Sequence, residues 1–131
     1  EFHYHPLDDS DNEIRLLRLH PGEDNESIVV NIIHVSLNDN PRYLALSYVW
    51  GSTEVLHQIS VNGKPKTVGL NLYLALKHLR NMKGQIGEHA NALWWIDALS
   101  IDQSNYVERG HQVRVMKDIY TRAEKVMVWL G

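Results

Sequence analysis

The chain has 131 residues, 44% hydrophobic and 22% charged, a composition typical of one globular domain that excludes a disordered tail. With a net charge of -3 and a pI of about 6.2 it lacks the clustered positive charge that nucleic-acid binding needs, and without cysteine it has no disulfides and no thiolate site. No apolar run approaches the roughly 20 residues of a membrane span and no signal peptide is visible, so the sequence predicts a soluble, cytoplasmic protein.

The amino-terminal part predicts an arm followed by a two-stranded ribbon. Residues 1–12 are polar and carry Pro6 and an acidic cluster, so we expect an arm that leads into a folded domain over 13–131. The apolar segments 14–19 and 28–35 are separated by a Pro-Gly turn and an acidic loop. They predict two antiparallel strands.

A hairpin and a helix are predicted next. Asn62-Gly63 separates two short alternating runs, which is the strongest short-range signal for a hairpin. Asn71 is a candidate N-cap for an amphipathic helix over residues 72–82. Further on, Ser104 or Asn105 can cap a second helix. Its predicted buried stripe is Val113, Met116, Ile119, Tyr120 and Ala123.

Three apolar segments from Tyr43 onward predict a parallel sheet. They are residues 43–51, 92–96 and 125–130, and right-handed crossovers would lay them in parallel with helices on both faces. The predicted fold is therefore α/β, with a parallel core over 43–131, an N-terminal β-ribbon and a small β-hairpin insertion. Because the chain stops directly after a buried strand, we expect it to be truncated at its carboxyl end.

The carboxyl ends of these strands carry the candidate site, since open α/β sheets bind ligands there. Asp97 and Asp102 could both face one crevice and do acid-base work, or they could only hold nearby turns. Glu108 lies one helical turn from Gln112, and Arg109 is predicted to form a structural ion pair with Asp97 or Asp102. Trp50 could stack on a planar ligand. The candidate binding residues are Ser47, Trp50, Gly51, Gln103, Arg109 and Gln112.

The sequence lacks the motifs of several other kinds of functional site. The eight histidines are scattered, with no pair at metal-ligand spacing, so no metal site is predicted. Neither a dinucleotide fingerprint nor a phosphate loop is present, and no serine has the context of a hydrolase nucleophile. We expect no cofactor.

Several ordered motifs from Tyr43 to Gly131 resemble the fungal heterokaryon incompatibility (HET) domain. In two places the chain departs from the pattern of that family, which usually has cysteine at Ser100 and asparagine at Asp102. The motifs include Tyr43-Leu-Ala-Leu-Ser-Tyr-Val-Trp-Gly51, Ile59-Ser-Val-Asn-Gly63, Trp95-Ile-Asp-Ala-Leu-Ser-Ile-Asp-Gln103, Glu108-Arg109 and Val128-Trp-Leu-Gly131.

The resemblance implies a domain that triggers programmed cell death when genetically different hyphae fuse. Such a domain would act by self-association or by contact with other cell-death signalling proteins. HET domains are in turn similar to TIR domains, which have a flavodoxin-like parallel sheet. Residues 44–48 would match the first TIR strand and residues 93–97 the second.

Some TIR domains cleave NAD, so the resemblance also implies an alternative function with a nucleotide ligand. NAD would be a substrate rather than a cofactor. Asp97 and Asp102 would orient the ribose and Trp50 would stack on a ring. Glu108, or a glutamate beyond residue 131, would stabilise positive charge in the transition state.

Overall fold

The computed structural model describes residues 1–50, 55–82 and 92–130, which form a mixed seven-stranded sheet with helices on both faces. The helices are α1 Leu70–Met82, α2 Asp97–Ser100 and α3 Tyr106–Arg122. The order across the sheet is β5-β4-β2-β1-β6-β3-β7. The strands are β1 Glu13–Leu19, β2 Val29–Ser36, β3 Leu44–Tyr48, β4 Leu56–Val61, β5 Lys64–Gly69, β6 Leu93–Ile96 and β7 Val126–Trp129.

The predicted α/β class and the three parallel strands are confirmed. The predicted burial of the third strand is wrong, because β7 lies at the edge of the sheet and its Val126 and Val128 are exposed. β3 pairs in parallel with β6 on one side and with β7 on the other. Because these strands point the same way, their carboxyl ends lie along one edge of the sheet. α1 packs on one face of the sheet through Leu72, Leu76 and Leu79, and α3 packs on the opposite face through Ile119.

The amino-terminal ribbon is confirmed, and it belongs to the same sheet as the parallel strands. β1 pairs antiparallel with both β2 and β6, and β2 pairs in parallel with β4, so one continuous mixed sheet results. The reason lies in the burial of β1. Ile14 and Leu16 belong to the core under α3, whereas Leu17 and Leu19 belong to the core under α1. A strand that is apolar on both faces must be covered on both.

The Asn62-Gly63 hairpin is confirmed. Asn62 has a φ of 52° and Gly63 a φ of 80°, the pair of left-handed conformations that a tight hairpin turn requires. The Oδ1 of Asn62 also accepts a hydrogen bond from the backbone N–H of Ile32 at 2.7 Å. The turn is therefore fixed to β2 as well as to its own strands.

Two details of the predicted helices need correction. α1 begins at Leu70, so Asn71 is not its N-cap; its Nδ2 donates to the carbonyl of Val49 at 2.9 Å instead. In α3 the cap at Asn105 is confirmed, because its side chain accepts from the N–H of Glu108. Val113 is not part of the buried stripe, since it is 55% exposed; polar Glu108 and Gln112 take the inward positions.

The N-terminal arm is docked on the domain. The N–H of Phe2 donates to the carbonyl of Pro65 in β5 at 3.1 Å, and the hydroxyl of Tyr4 donates to the carbonyl of Leu99 at 2.9 Å. The arm thus bridges the hairpin and the segment that follows β6. None of the helices in residues 1–50, 55–82 and 92–130 is both long and apolar enough to cross a membrane.

Candidate functional site

A cavity of about 250 Å³ opens where β3 and β6 end. We call it the crevice. One wall is formed by Tyr48 and Trp50 at the end of β3, and another by Ala98 and Gln103 after β6. The β4–β5 hairpin closes the remaining side with Lys66 and its neighbours. The fold therefore places the cavity at the sheet edge where the sequence predicts a site.

Two aromatic rings in the wall of the crevice lie parallel to each other. The rings of Tyr48 and Trp50 are nearly parallel, with an interplanar angle of 7° and centroids 6.4 Å apart. Trp50 is 47% exposed, so part of this residue is accessible to a ligand. A planar ring stacked on such a surface gains both apolar burial and a favourable quadrupole arrangement.

Asp97 lies beside this wall. It is the first residue of α2, and its carboxylate accepts hydrogen bonds from the Trp50 side chain and from the backbone N–H of Ala98. Burial raises the pKa of Asp97, and these two hydrogen bonds partly oppose that shift. Burial raises the pKa of Tyr48, and the negative charge of Asp97 raises it further. Asp97 is therefore held in an environment that favours its neutral form more than water does.

Asp102 has the turn role that the sequence offered as one alternative. Its Oδ1 accepts from the N–H of Ser104 at 3.2 Å and from the Ser104 hydroxyl at 2.8 Å, and its carbonyl accepts from the N–H of Asn105. It lines a second cavity of about 320 Å³ next to the crevice. Asp97 lines neither cavity, so these cavities do not bring the two carboxylates together.

Glu108 is occupied by a buried ion pair. Its two oxygens accept from Nη1 and Nη2 of Arg15 at 2.6 and 2.7 Å, and the N–H of Asp102 donates to Oε2 at 2.6 Å. Arg15 is fully buried and Glu108 is 6% exposed. Arg15 also donates to the carbonyls of Ser100 and His5. The pair thus joins β1, α3, the segment after β6 and the arm.

The predicted ion pair of Arg109 with Asp97 or Asp102 is wrong. The Arg109 side chain is exposed, and its guanidinium carbon lies 5.1 Å from the centre of the Tyr106 ring. Neighbours on a helix project about 100° apart, so the inward position of Glu108 directs Arg109 towards solvent. The arginine that reaches this region comes from β1.

The other predicted binding residues are dispersed. Ser47 and Tyr48 are successive residues of β3 and therefore point to opposite faces, which separates Ser47 from the crevice. Gln112 is buried and lines a cavity of about 90 Å³ beside Asn12 and His111. Gly51 lies outside the described residues. Gln103 and Trp50 do line the crevice.

Sequence reasoning missed Lys66. Lys66 lies in β5, Lys64–Gly69. The sequence signal there is the Asn-Gly turn, which predicts a hairpin but not a binding residue. The alternation of the strand could have identified Lys66 as sharing a face with Val68, which is buried, but not what that face covers. Within the described ranges, no group of three or more His, Asp or Glu side chains is arranged to hold a metal ion.

Comparison with known sequences assigns the family. The sequence profile described as "Heterokaryon incompatibility protein (HET)" matches residues 43–131. This chain belongs to the HET family. It is also 37% identical, over 134 aligned positions and 95% of its length, to "Heterokaryon incompatibility protein 6, OR allele" of Neurospora crassa. The HET chain described above spans about 20% of that relative. No solved structure matches this chain.

Proposed function

We propose that this HET domain acts in heterokaryon incompatibility, as a signalling or effector domain that triggers cell death after non-self recognition. The observation that carries the proposal is the similarity to the Neurospora crassa protein over 95% of this chain, since the name of that protein states heterokaryon incompatibility. The death signal would pass by self-association or by contact with other cell-death signalling proteins.

Induced expression in a filamentous fungus tests this proposal. We expect growth arrest and uptake of a membrane-impermeant dye after induction. A variant that prevents folding, such as Trp95→Asp at the fully buried Trp95, serves as the negative control, because a charge there has no partner. Normal growth, with the folded domain accumulating at the level seen for harmless proteins, would count against the proposal.

An alternative proposal is TIR-like cleavage of NAD, and the strand order supports it. In chain order the parallel strands are β3, β6 and β7, and across the sheet they lie as second, first, third. Flavodoxin-like sheets begin with that order. The crevice also lies at the carboxyl ends of two of these strands, where ligands of open α/β sheets bind.

In this reaction the bond between nicotinamide nitrogen and ribose C1 breaks and water adds to C1. Positive charge develops on the ribose, and a nearby carboxylate would stabilise it. Asp97 is the better candidate of the two, because it adjoins Trp50 in the crevice wall, whereas Glu108 is buried and its charge is neutralised by Arg15. Asp97 would act in its ionised form, which burial makes less favourable than it is in water. Trp50 would stack on a ring of the substrate, and Asp102 would orient the ribose.

Release of nicotinamide from NAD tests the alternative. We expect turnover by the wild-type domain and a loss of roughly a hundredfold or more in Asp97→Asn, as when a positioned carboxylate is removed. Asp39→Asn is the matched control, because Asp39 is exposed on a turn in another part of the chain. Absence of turnover in the wild-type domain would remove the alternative and leave the signalling proposal intact.

A further inference from the structure

The crevice has a neighbouring chamber that the N-terminal arm completes. This second cavity, of about 320 Å³, is lined by Phe2, His3 and Tyr4 on the arm side. Its opposite side includes Lys66 and Gln103, which also line the crevice. Each cavity is near or below the lower end of the range for small-molecule sites, about 300–1,000 Å³. Side by side, they offer room for a ligand with two chemically different parts.

Lys66 is the uncompensated cation between these two cavities. None of the ion pairs seen in the described ranges involves Lys66. Its Nζ lies 5.3 Å from the centre of the Tyr4 ring, which also contacts the Arg15 guanidinium at 4.7 Å. Arg15 is neutralised by Glu108, whereas no carboxylate of residues 1–50, 55–82 and 92–130 forms an ion pair with Lys66.

Two carboxylates, those of Glu1 and Asp102, line the second chamber together with this cation. The Oδ1 of Asp102 already accepts two hydrogen bonds from Ser104, so this carboxylate is engaged within its own turn. Lys66 is half-buried, and a charge that is partly removed from water interacts more strongly with a counter-ion than an exposed one does. An ammonium group in this position suits a phosphate, which lysine binds as a point charge.

We infer that Lys66 binds the phosphate of a nucleotide whose ring stacks on Trp50. This inference rests on the proposed nucleotide ligand of the crevice and makes Lys66 a residue that determines specificity. The ring would occupy the crevice and the phosphate would lie at the wall that the two cavities share. Because Lys66 is carried by β5, the hairpin would act as part of the binding site as well as part of the sheet.

Calorimetric titration with ADP, adenosine, pyrophosphate and NAD tests the inference. Lys66→Gln removes the charge, Lys66→Arg retains it, and Lys64→Gln makes the same change on an exposed residue of the same strand. We expect Lys66→Gln to weaken ADP, NAD and pyrophosphate at least about tenfold. Adenosine should bind Lys66→Gln and wild type equally, and Lys66→Arg and Lys64→Gln should bind ADP nearly as wild type does. Melting temperatures establish that each variant is folded.

The outcomes separate this inference from the proposal on which it rests. Equal binding of ADP and pyrophosphate by wild type and Lys66→Gln would overturn the role of Lys66 while leaving a nucleotide site. Binding of pyrophosphate that needs Lys66, without binding of adenosine or NAD, would support the anion site and refute the nucleotide. Binding of none of the four ligands by the wild-type domain would refute both.

Discussion

Replacing Glu108 by glutamine would leave the Arg15 guanidinium in the interior without its counter-ion. Arg15 is fully buried and Glu108 is 6% exposed, so water cannot replace the lost charge. The glutamine amide would also bring N–H groups towards the donors of Arg15 and the N–H of Asp102. Breaking a buried pair in this way costs about 3–5 kcal/mol. That is a large part of the roughly 5–15 kcal/mol by which domains are stable.

Urea denaturation followed by circular dichroism measures this loss of stability. The melting temperature of Glu108→Gln should fall by roughly 10–20 °C relative to wild type. The double variant Arg15→Met with Glu108→Leu should recover much of it, because an apolar pair leaves no buried charge. A double-mutant cycle of Arg15→Met, Glu108→Leu and the double variant then gives the coupling energy between the two side chains. A loss below about 1 kcal/mol for Glu108→Gln, or a double variant less stable than both single ones, would refute the reasoning.

Three further predictions concern stability. Asp97→Asn should stabilise the domain at neutral pH. Because the pKa of Asp97 is raised in the folded state, ionisation of this group at neutral pH disfavours folding. The gain in stability should vanish below the ordinary aspartate pKa of 3.8, where Asp97 is protonated in both the folded and the unfolded state. A gain that persists in acid would contradict this origin. Gly110→Ala should stabilise α3 by about 0.5–1 kcal/mol, because its Cβ would meet open space. Gly63→Ala should instead cost about 1 kcal/mol, because Gly63 has a φ of 80°. Urea denaturation that does not show a gain for the first variant and a loss for the second would refute both predictions. Arg80→Met should cost about 2 kcal/mol, because Arg80 donates to the carbonyls of Glu23, Glu26 and Ser27, and an unchanged melting temperature would show that this loop does not need it.

Much of the secondary structure could be predicted from the sequence, because its causes are local. The Asn62-Gly63 turn follows from the ease with which both residues adopt left-handed conformations, and the cap at Asn105 follows from one side chain and a nearby N–H. The parallel arrangement of β3, β6 and β7 follows from the handedness of crossovers. Val113 was misjudged because two polar side chains, Glu108 and Gln112, are buried in place of apolar ones.

The sequence by itself determined the strands, the main helices and the sheet edge at which polar residues gather. Only the tertiary structure decided which charges meet there. Glu108 lies next to Arg109 in the chain, yet its partner is Arg15, 93 residues away. β1 pairs with β6, and that pairing brings Arg15 to the segment that leads into α3. Likewise Lys66 reaches the crevice because the hairpin joins the sheet through β2. Strand periodicity fixes the face on which a side chain lies, but pairing between distant strands fixes what that face covers.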